Sequence, residues 1–262
     1  MECGLDEAVI GIIEQGASDG VVDRAVRTVR NAGGTPVVGT AAELLGTDPS
    51  VLDAGPDAVV AFGERAFLSA GRIAGSVPLL PVEAGAGVRS ISEGTIESSL
   101  KTLVTESVEL VDQCRYEVAV DGTSTNTIVS DAMLVTEEPA RISEYSIHTA
   151  GSRVAQFRAD GVVVATPSGS HGYAAAARGP TLAPGTGIVA VPIAQFATDR
   201  DSWVLGPNEP ITLRIERDDG PVELLVDDCR DQLVDAGTDI TLTPGAPLRI
   251  VTVAESEPYW QE

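Results

Sequence analysis

The chain has 262 residues, 17 of them basic against 39 acidic, and a formal charge of −22. With 43% hydrophobic residues and a mean hydropathy of +0.12 it can bury one large core or two modest ones, which excludes a disordered polyanion. The field of that charge also excludes nucleic acid and anionic membrane surfaces as general partners, since a polyanion is repelled wherever no local basic patch intervenes.

Ala8-Val9-Ile10-Gly11-Ile12-Ile13 is a short apolar run of buried-strand type. Val21, Val22, Ala25, Val26 and Val29 then form one helical stripe, with Ser18 placed as N-cap and Gly33-Gly34 as the stop. Pro36-Val37-Val38 reads as a second strand and residues 57–62 as a third, followed by a turn and a short helix over residues 67–74. Residues 77–82 read as a fourth strand. Strands alternating with helices imply a parallel sheet covered on its faces.

The acidic, helical stretch 92–107 marks a boundary, giving an α/β domain over 1–104 and a β-rich domain over 105–262. In the second domain strands are predicted at 108–111, 116–120, 127–135, 142–147, 154–158, 162–165, 188–192, 211–215, 222–226, 240–242 and 248–253. Turn signals separate them, at Asp121-Gly122, Asp160-Gly161, Asp219-Gly220 and Pro244-Gly245. The exception is residues 172–178, where Tyr173 and four alanines read as a short helix.

Cys3, Cys114 and Cys229 lie far apart without C-x-x-C spacing, which supports neither a zinc site nor a disulfide framework and points to a reducing compartment. No window of about eighteen apolar residues occurs, and Met1-Glu2-Cys3 lacks a basic leader region, so a cytoplasmic protein without membrane segments is expected. Sixteen Arg stand beside a single Lys, Lys101. That balance suits a surface built for molar salt, where the Debye length is about 3 Å and self-repulsion is screened; the other reading is an ordinary acidic cytosolic protein.

The most informative stretch is residues 159–173, Ala-Asp-Gly-Val-Val-Val-Ala-Thr-Pro-Ser-Gly-Ser-His-Gly-Tyr. An Asp-Gly turn launches an uncharged strand that opens into a small-residue loop and then a helix. Gly169 allows backbone to approach a ligand, Ser168 and Ser170 offer hydroxyls, and a helix start presents unpaired N–H groups. Taken alone, the loop is either an anion cradle or a plain structural turn. It resembles the pattern D-G-[ILV]-[ILV]-[ILV]-[SA]-T-P-T-G-S-T-A-Y of NAD kinases, with Arg178-Gly179-Pro180 standing where that family has Gly-Gly-Pro.

The resemblance extends to the order of domains across nearly the whole chain. It implies a Rossmann-like α/β domain followed by a larger β-sandwich, a dinucleotide site between them, and phosphoryl transfer from ATP or polyphosphate to the adenosine-ribose 2′-hydroxyl of NAD. By the same resemblance Thr166, Ser168, Gly169, Ser170, His171 and Tyr173 hold the dinucleotide, with His171 replacing a Thr and Tyr173 near its adenine end. Tyr173 has a second reading, as a helix-start residue covering core. Mg²⁺ would arrive with ATP, and a homodimer or homotetramer joined through the β domains would follow.

Two further family signatures are altered. Where NAD kinases carry Gly-Gly-Asp-Gly-Thr, this chain reads Ala61-Phe62-Gly63-Glu64-Arg65-Ala66. Glu64 thus takes the place of the general base, one methylene longer, while Gly63 and Arg65 stand at the phosphates. Arg65 either replaces backbone donors with a guanidinium fork or fills the cradle. Ser130-Asp131 falls where the family has Asn-Glu, in a register set by Pro139-Ala140-Arg141; the resemblance implies that both hold the dinucleotide, Asp131 as an acceptor on its ribose or nicotinamide side, and the other reading is a surface turn. Glu83 falls where the family has an Asn, which brings negative charge toward the ligand.

His148 is without a companion and reads as structural, and with His171 it makes no transition-metal site. Glu137-Glu138 and Asp227-Asp228 read as solvated faces. Three functions stay open: an NAD kinase; a silent relative acting as a nucleotide sensor or regulatory subunit; and a kinase of the same plan acting on a lipid or sugar hydroxyl. Residues 62–66 divide the first two.

Overall fold

The computed structural model describes residues 8–46, 55–136, 141–197, 201–218 and 220–260. Cys3, Glu137, Glu138, Pro139, Ala140 and Asp219 lie outside these. The chain begins with β1 (Val9–Ile13), α1 (Val21–Asn31), β2 (Thr35–Gly39), α2 (Ala41–Leu45), β3 (Ala58–Phe62), α3 (Gly63–Ile73), β4 (Leu79–Val82), α4 (Ile96–Thr105) and β5 (Glu109–Gln113). β1 buries four of its five residues and β3 all five, as strands covered by helices on both faces do.

The stripe on α1 buries Val21, Ala25 and Val29. Its N-cap is Gly20, not Ser18: the Ser18 carbonyl accepts from the Val21 N–H, and the Ser18 N–H donates to Glu93 Oε1 at 2.8 Å. The helix stops as expected, the Gly34 N–H reaching back to the Val29 carbonyl at 2.9 Å. Helix α2 is absent from the sequence reading although Thr40-x-x-Glu43 announces it. Thr40 N–H donates to Glu43 Oε2 at 2.7 Å and Glu43 N–H to Thr40 Oγ1 at 3.3 Å, a reciprocal cap. Helix α3 starts at Gly63 with no intervening turn, four residues before the expected start. Gly63 sits at φ +77°, a left-handed value that lets strand pass directly into helix.

The second unit continues with β6 (Tyr116–Val120), β7 (Thr123–Ile128), β8 (Asp131–Thr136), β9 (Ser143–Thr149), β10 (Ser152–Ala159), β11 (Gly161–Ala165), α5 (Tyr173–Ala176), β12 (Ile188–Ile193), β13 (Trp203–Leu205), β14 (Ile211–Arg217), β15 (Val222–Val226), β16 (Cys229–Val234) and β17 (Asp239–Pro244); β18 (Leu248–Thr252) follows. Two six-stranded antiparallel sheets form it, in the orders β10-β9-β14-β17-β6-β7 and β13-β12-β11-β8-β15-β16. Their facing residues make one core, including Tyr116, Ile147 and Leu213 from the first sheet and Leu134, Val164 and Leu224 from the second. The expected single strand over 127–135 is two, broken at Val129-Ser130, where the chain crosses from one sheet to the other.

The chain divides into one unit running up to Gln113 and again from Pro247, and a second over Cys114–Ala246. The expected division at 104 falls inside the first unit, within α4. Strand β18 pairs in parallel with β4, Ile250 opposite Leu79, and antiparallel with β5, so it completes the first sheet in the order β2-β1-β3-β4-β18-β5.

Candidate functional site

Strand β11 is buried at every residue. Val162 and Val164 face the sandwich core, while Val163 and Ala165 pack with Ala174, Leu182, Val189 and Val191 on the opposite face. Such cover on both faces accounts for its lack of charge and fixes where the following loop begins. Thr166 N–H donates to the Ser130 carbonyl at 2.9 Å, and Thr166 Oγ1 donates to the Val129 carbonyl at 2.9 Å. Ser168 Oγ donates to the same Val129 carbonyl at 3.2 Å. Ser170 Oγ donates to the Pro167 carbonyl at 2.6 Å and accepts from the Leu182 N–H at 2.9 Å.

Thr166 and Ser170 are 0% exposed, and with Ser168 their hydroxyls bond to the backbone around the loop. Gly169 is buried against the Ser130 carbonyl with no room for a Cβ. The residues that reach the surface follow: His171 is half-buried and Tyr173 is exposed. Burial holds the His171 imidazole below its usual value of 6.5.

The structure brings Ser130 and Asp131 to this loop, and Asp227 with them. Asp227 is not a solvated acid. Its carboxylate accepts from the backbone N–H groups of Val129 at 3.2 Å, Ser130 at 2.7 Å and Asp131 at 3.1 Å, and its own N–H donates to the Asp131 carbonyl at 2.8 Å. Asp227 has φ +52°, in the tight turn between β15 and β16. The sequence signal was there: a two-residue turn wants Asn, Asp or Gly, and Asp227-Asp228 is the pair between two strand patterns. Asp131 is buried at 8% exposure, and the register puts it beside Ala165.

In the first unit, Glu64 and Arg65 are exposed in the first turn of α3, at the C-terminal end of β3. Ligands of open α/β sheets bind at such strand ends. The Glu64 carboxyl carbon lies near Gly85, 3.9 Å from where a Cβ would stand. Glu83, at φ +50°, accepts from the Glu93 N–H through Oε1 at 3.3 Å.

His148 has a companion after all. Its Nε2 is 2.9 Å from Ser146 Oγ, which donates to Glu216 Oε1 at 2.6 Å. Cys114, pushed up to about 11 by burial, stays a thiol at neutral pH. Among the described residues no three His, Cys, Asp or Glu side chains form a metal-holding group, and no helix is long and apolar enough to cross a membrane.

A mainly parallel α/β sheet with one antiparallel edge strand, and a six-on-six antiparallel sandwich with a Ser/Gly loop at the end of a buried strand, make up a fold shared with solved NAD and NADH kinases. The yeast NADH kinase complexed with NADH superposes with a TM-score of 0.78 over 95% of this chain and 84% of its own, at 18% identity. An NAD kinase from Archaeoglobus fulgidus in complex with ATP gives 0.73 over 94% and 93%, at 20% identity. Residues 129–247 match the ATP-NAD kinase C-terminal domain. An NAD kinase of Methanospirillum hungatei is 29% identical over 66% of this chain and 65% of its own length, and one of Methanosarcina barkeri is 33% identical over 45% and 44%. The matched stretches thus span less than two thirds of these relatives. The chain is thus similar to an NAD kinase over 66% of its length, and it shares the fold of the solved NAD and NADH kinases.

Proposed function

We propose that this chain transfers a phosphoryl group from ATP to the 2′-hydroxyl of the adenosine ribose of NAD, giving NADP. The observation that carries the reading is the loop after β11. It lies within the stretch matching the ATP-NAD kinase C-terminal domain, and its buried hydroxyls spend themselves on the turn at Val129-Ser130. In this reading Thr166, Ser168, Gly169 and Ser170 give the loop its shape. His171 and Tyr173 present surface to the dinucleotide, and Ser130 and Asp131 contribute the turn beneath.

Glu64 takes the proton of the ribose hydroxyl as its oxygen attacks the γ-phosphorus, and the bond from that phosphorus to the bridging oxygen breaks to release ADP. Gly63 and Arg65 attend the phosphates. Mg²⁺ comes with ATP as part of the donor, and polyphosphate is the other donor to be tried. We place the protein in the cytoplasm, as a homodimer or homotetramer in molar salt.

The test is NADP formation by the full chain and by Glu64→Ala and Glu64→Asp. Loss in the first with recovery in the second supports the assignment. Equal rates in all three remove Glu64 from the chemistry.

A further inference from the structure

We propose that Asp227 is a positioning residue for the dinucleotide loop, acting through the turn at residues 129–131. The inference rests on the reading of residues 166–173 as the dinucleotide loop. Strand β7 belongs to one sheet of the sandwich and β8 to the other, so Val129-Ser130 is the crossing between them. At a crossing the backbone loses its ladder partners, and buried N–H groups then need others. Asp227 supplies them, one carboxylate accepting from three consecutive N–H groups. Bonds to an ionised acceptor are stronger than those between neutral groups.

The carbonyl side of the same turn faces the loop. Val129 O accepts from Thr166 Oγ1 and Ser168 Oγ, and Ser130 O accepts from Thr166 N–H. The turn is therefore clamped by a carboxylate along its N–H edge and by the loop along its C=O edge. Asp227 is itself fixed, because β15 pairs with β8, Val226 opposite Ala132, and its N–H is held by the Asp131 carbonyl. Removing the charge weakens the bonds along the N–H edge, loosens the turn, and moves the carbonyls on which residues 166–170 are hung.

The experiment titrates NAD into the full chain in molar KCl by calorimetry, for the wild type, Asp227→Asn and Asp228→Asn, with thermal melting of each. Asp228, exposed on the same turn, controls for charge alone. NAD binding by the wild type tests the reading of the loop; the variants test the positioning. The expected result is NAD affinity about tenfold or more weaker in Asp227→Asn and about unchanged in Asp228→Asn, with the KM for ATP unmoved. Wild-type affinity in Asp227→Asn, or equal loss in both variants, overturns the proposal. Should Asp227→Asn not fold, Thr166→Val opens the clamp from the loop side, and full NAD affinity in that variant overturns it too.

Discussion

Gly169 lies against the carbonyl oxygen of Ser130, so closely that a Cβ on residue 169 would overlap it. That contact packs two stretches of backbone directly onto each other, the loop after β11 and the crossing between the sheets, and Thr166 N–H bonds the same oxygen.

Gly169→Ala should therefore destabilise the protein by about 1–3 kcal/mol, the usual cost of forcing a group into packed space, as the loop and the turn move apart. Denaturant unfolding in molar salt measures it. A midpoint equal to that of the wild type would mean that the two stretches separate freely.

Thr166→Val keeps the shape of the side chain and removes its hydroxyl. The Val129 carbonyl then loses one of its two hydroxyl donors and the Gly169 N–H loses an acceptor at 3.3 Å. About 1–3 kcal/mol should be lost for buried polar groups left unmatched. No loss would assign those bonds to water.

His171 sets a pH dependence of known sign. Its folded value lies below the usual 6.5, so the unfolded chain binds its proton first as pH falls. The stability contributed is fully present above 6.5 and drops below it, down through the folded value. Melting curves between about pH 7.5 and 5.5 should show a fall for the wild type that is shallower in His171→Gln. Parallel curves would place the titration elsewhere.

A charge of −22 self-repels once salt is withdrawn, since the Debye length grows from about 3 Å at 1 M to about 30 Å at 0.01 M. Dialysis into dilute buffer should lower the melting temperature and, under the molar-salt reading, unfold the chain. A protein that stays folded and active there is an ordinary acidic one.

The sequence disclosed those parts whose chemistry is local. Strands β1 and β3 are apolar because helices cover both their faces, β11 because the facing sheet covers one face and Ala174 and Leu182 pack on the other, and the stripe on α1 is periodic because one face is buried. Strand β18 was legible as a strand but not as a member of the first sheet, because Leu248 to Thr252 carries no mark of its partner, 169 residues away along the chain at Leu79 to Val82.

The site divides in the same way. Residues 159–173 announced a loop, yet whether Ser168 and Ser170 point outward or inward depends on Val129, Pro167 and Leu182, and only the first of these hydrogen bonds spans a strand crossing. Asp227 was hidden for a similar reason: two adjacent acids in an acidic chain look solvated until three backbone donors some 97 residues away converge on one of them.

The proposed activity is measured directly as NADP formed from NAD and ATP-Mg²⁺ by the full chain in molar KCl, followed over hours. NADP is expected at a rate that depends on enzyme concentration and falls with Glu64→Ala. NAD binding by calorimetry without any NADP, from either ATP or polyphosphate, would contradict it and leave a ligand-binding relative in its place.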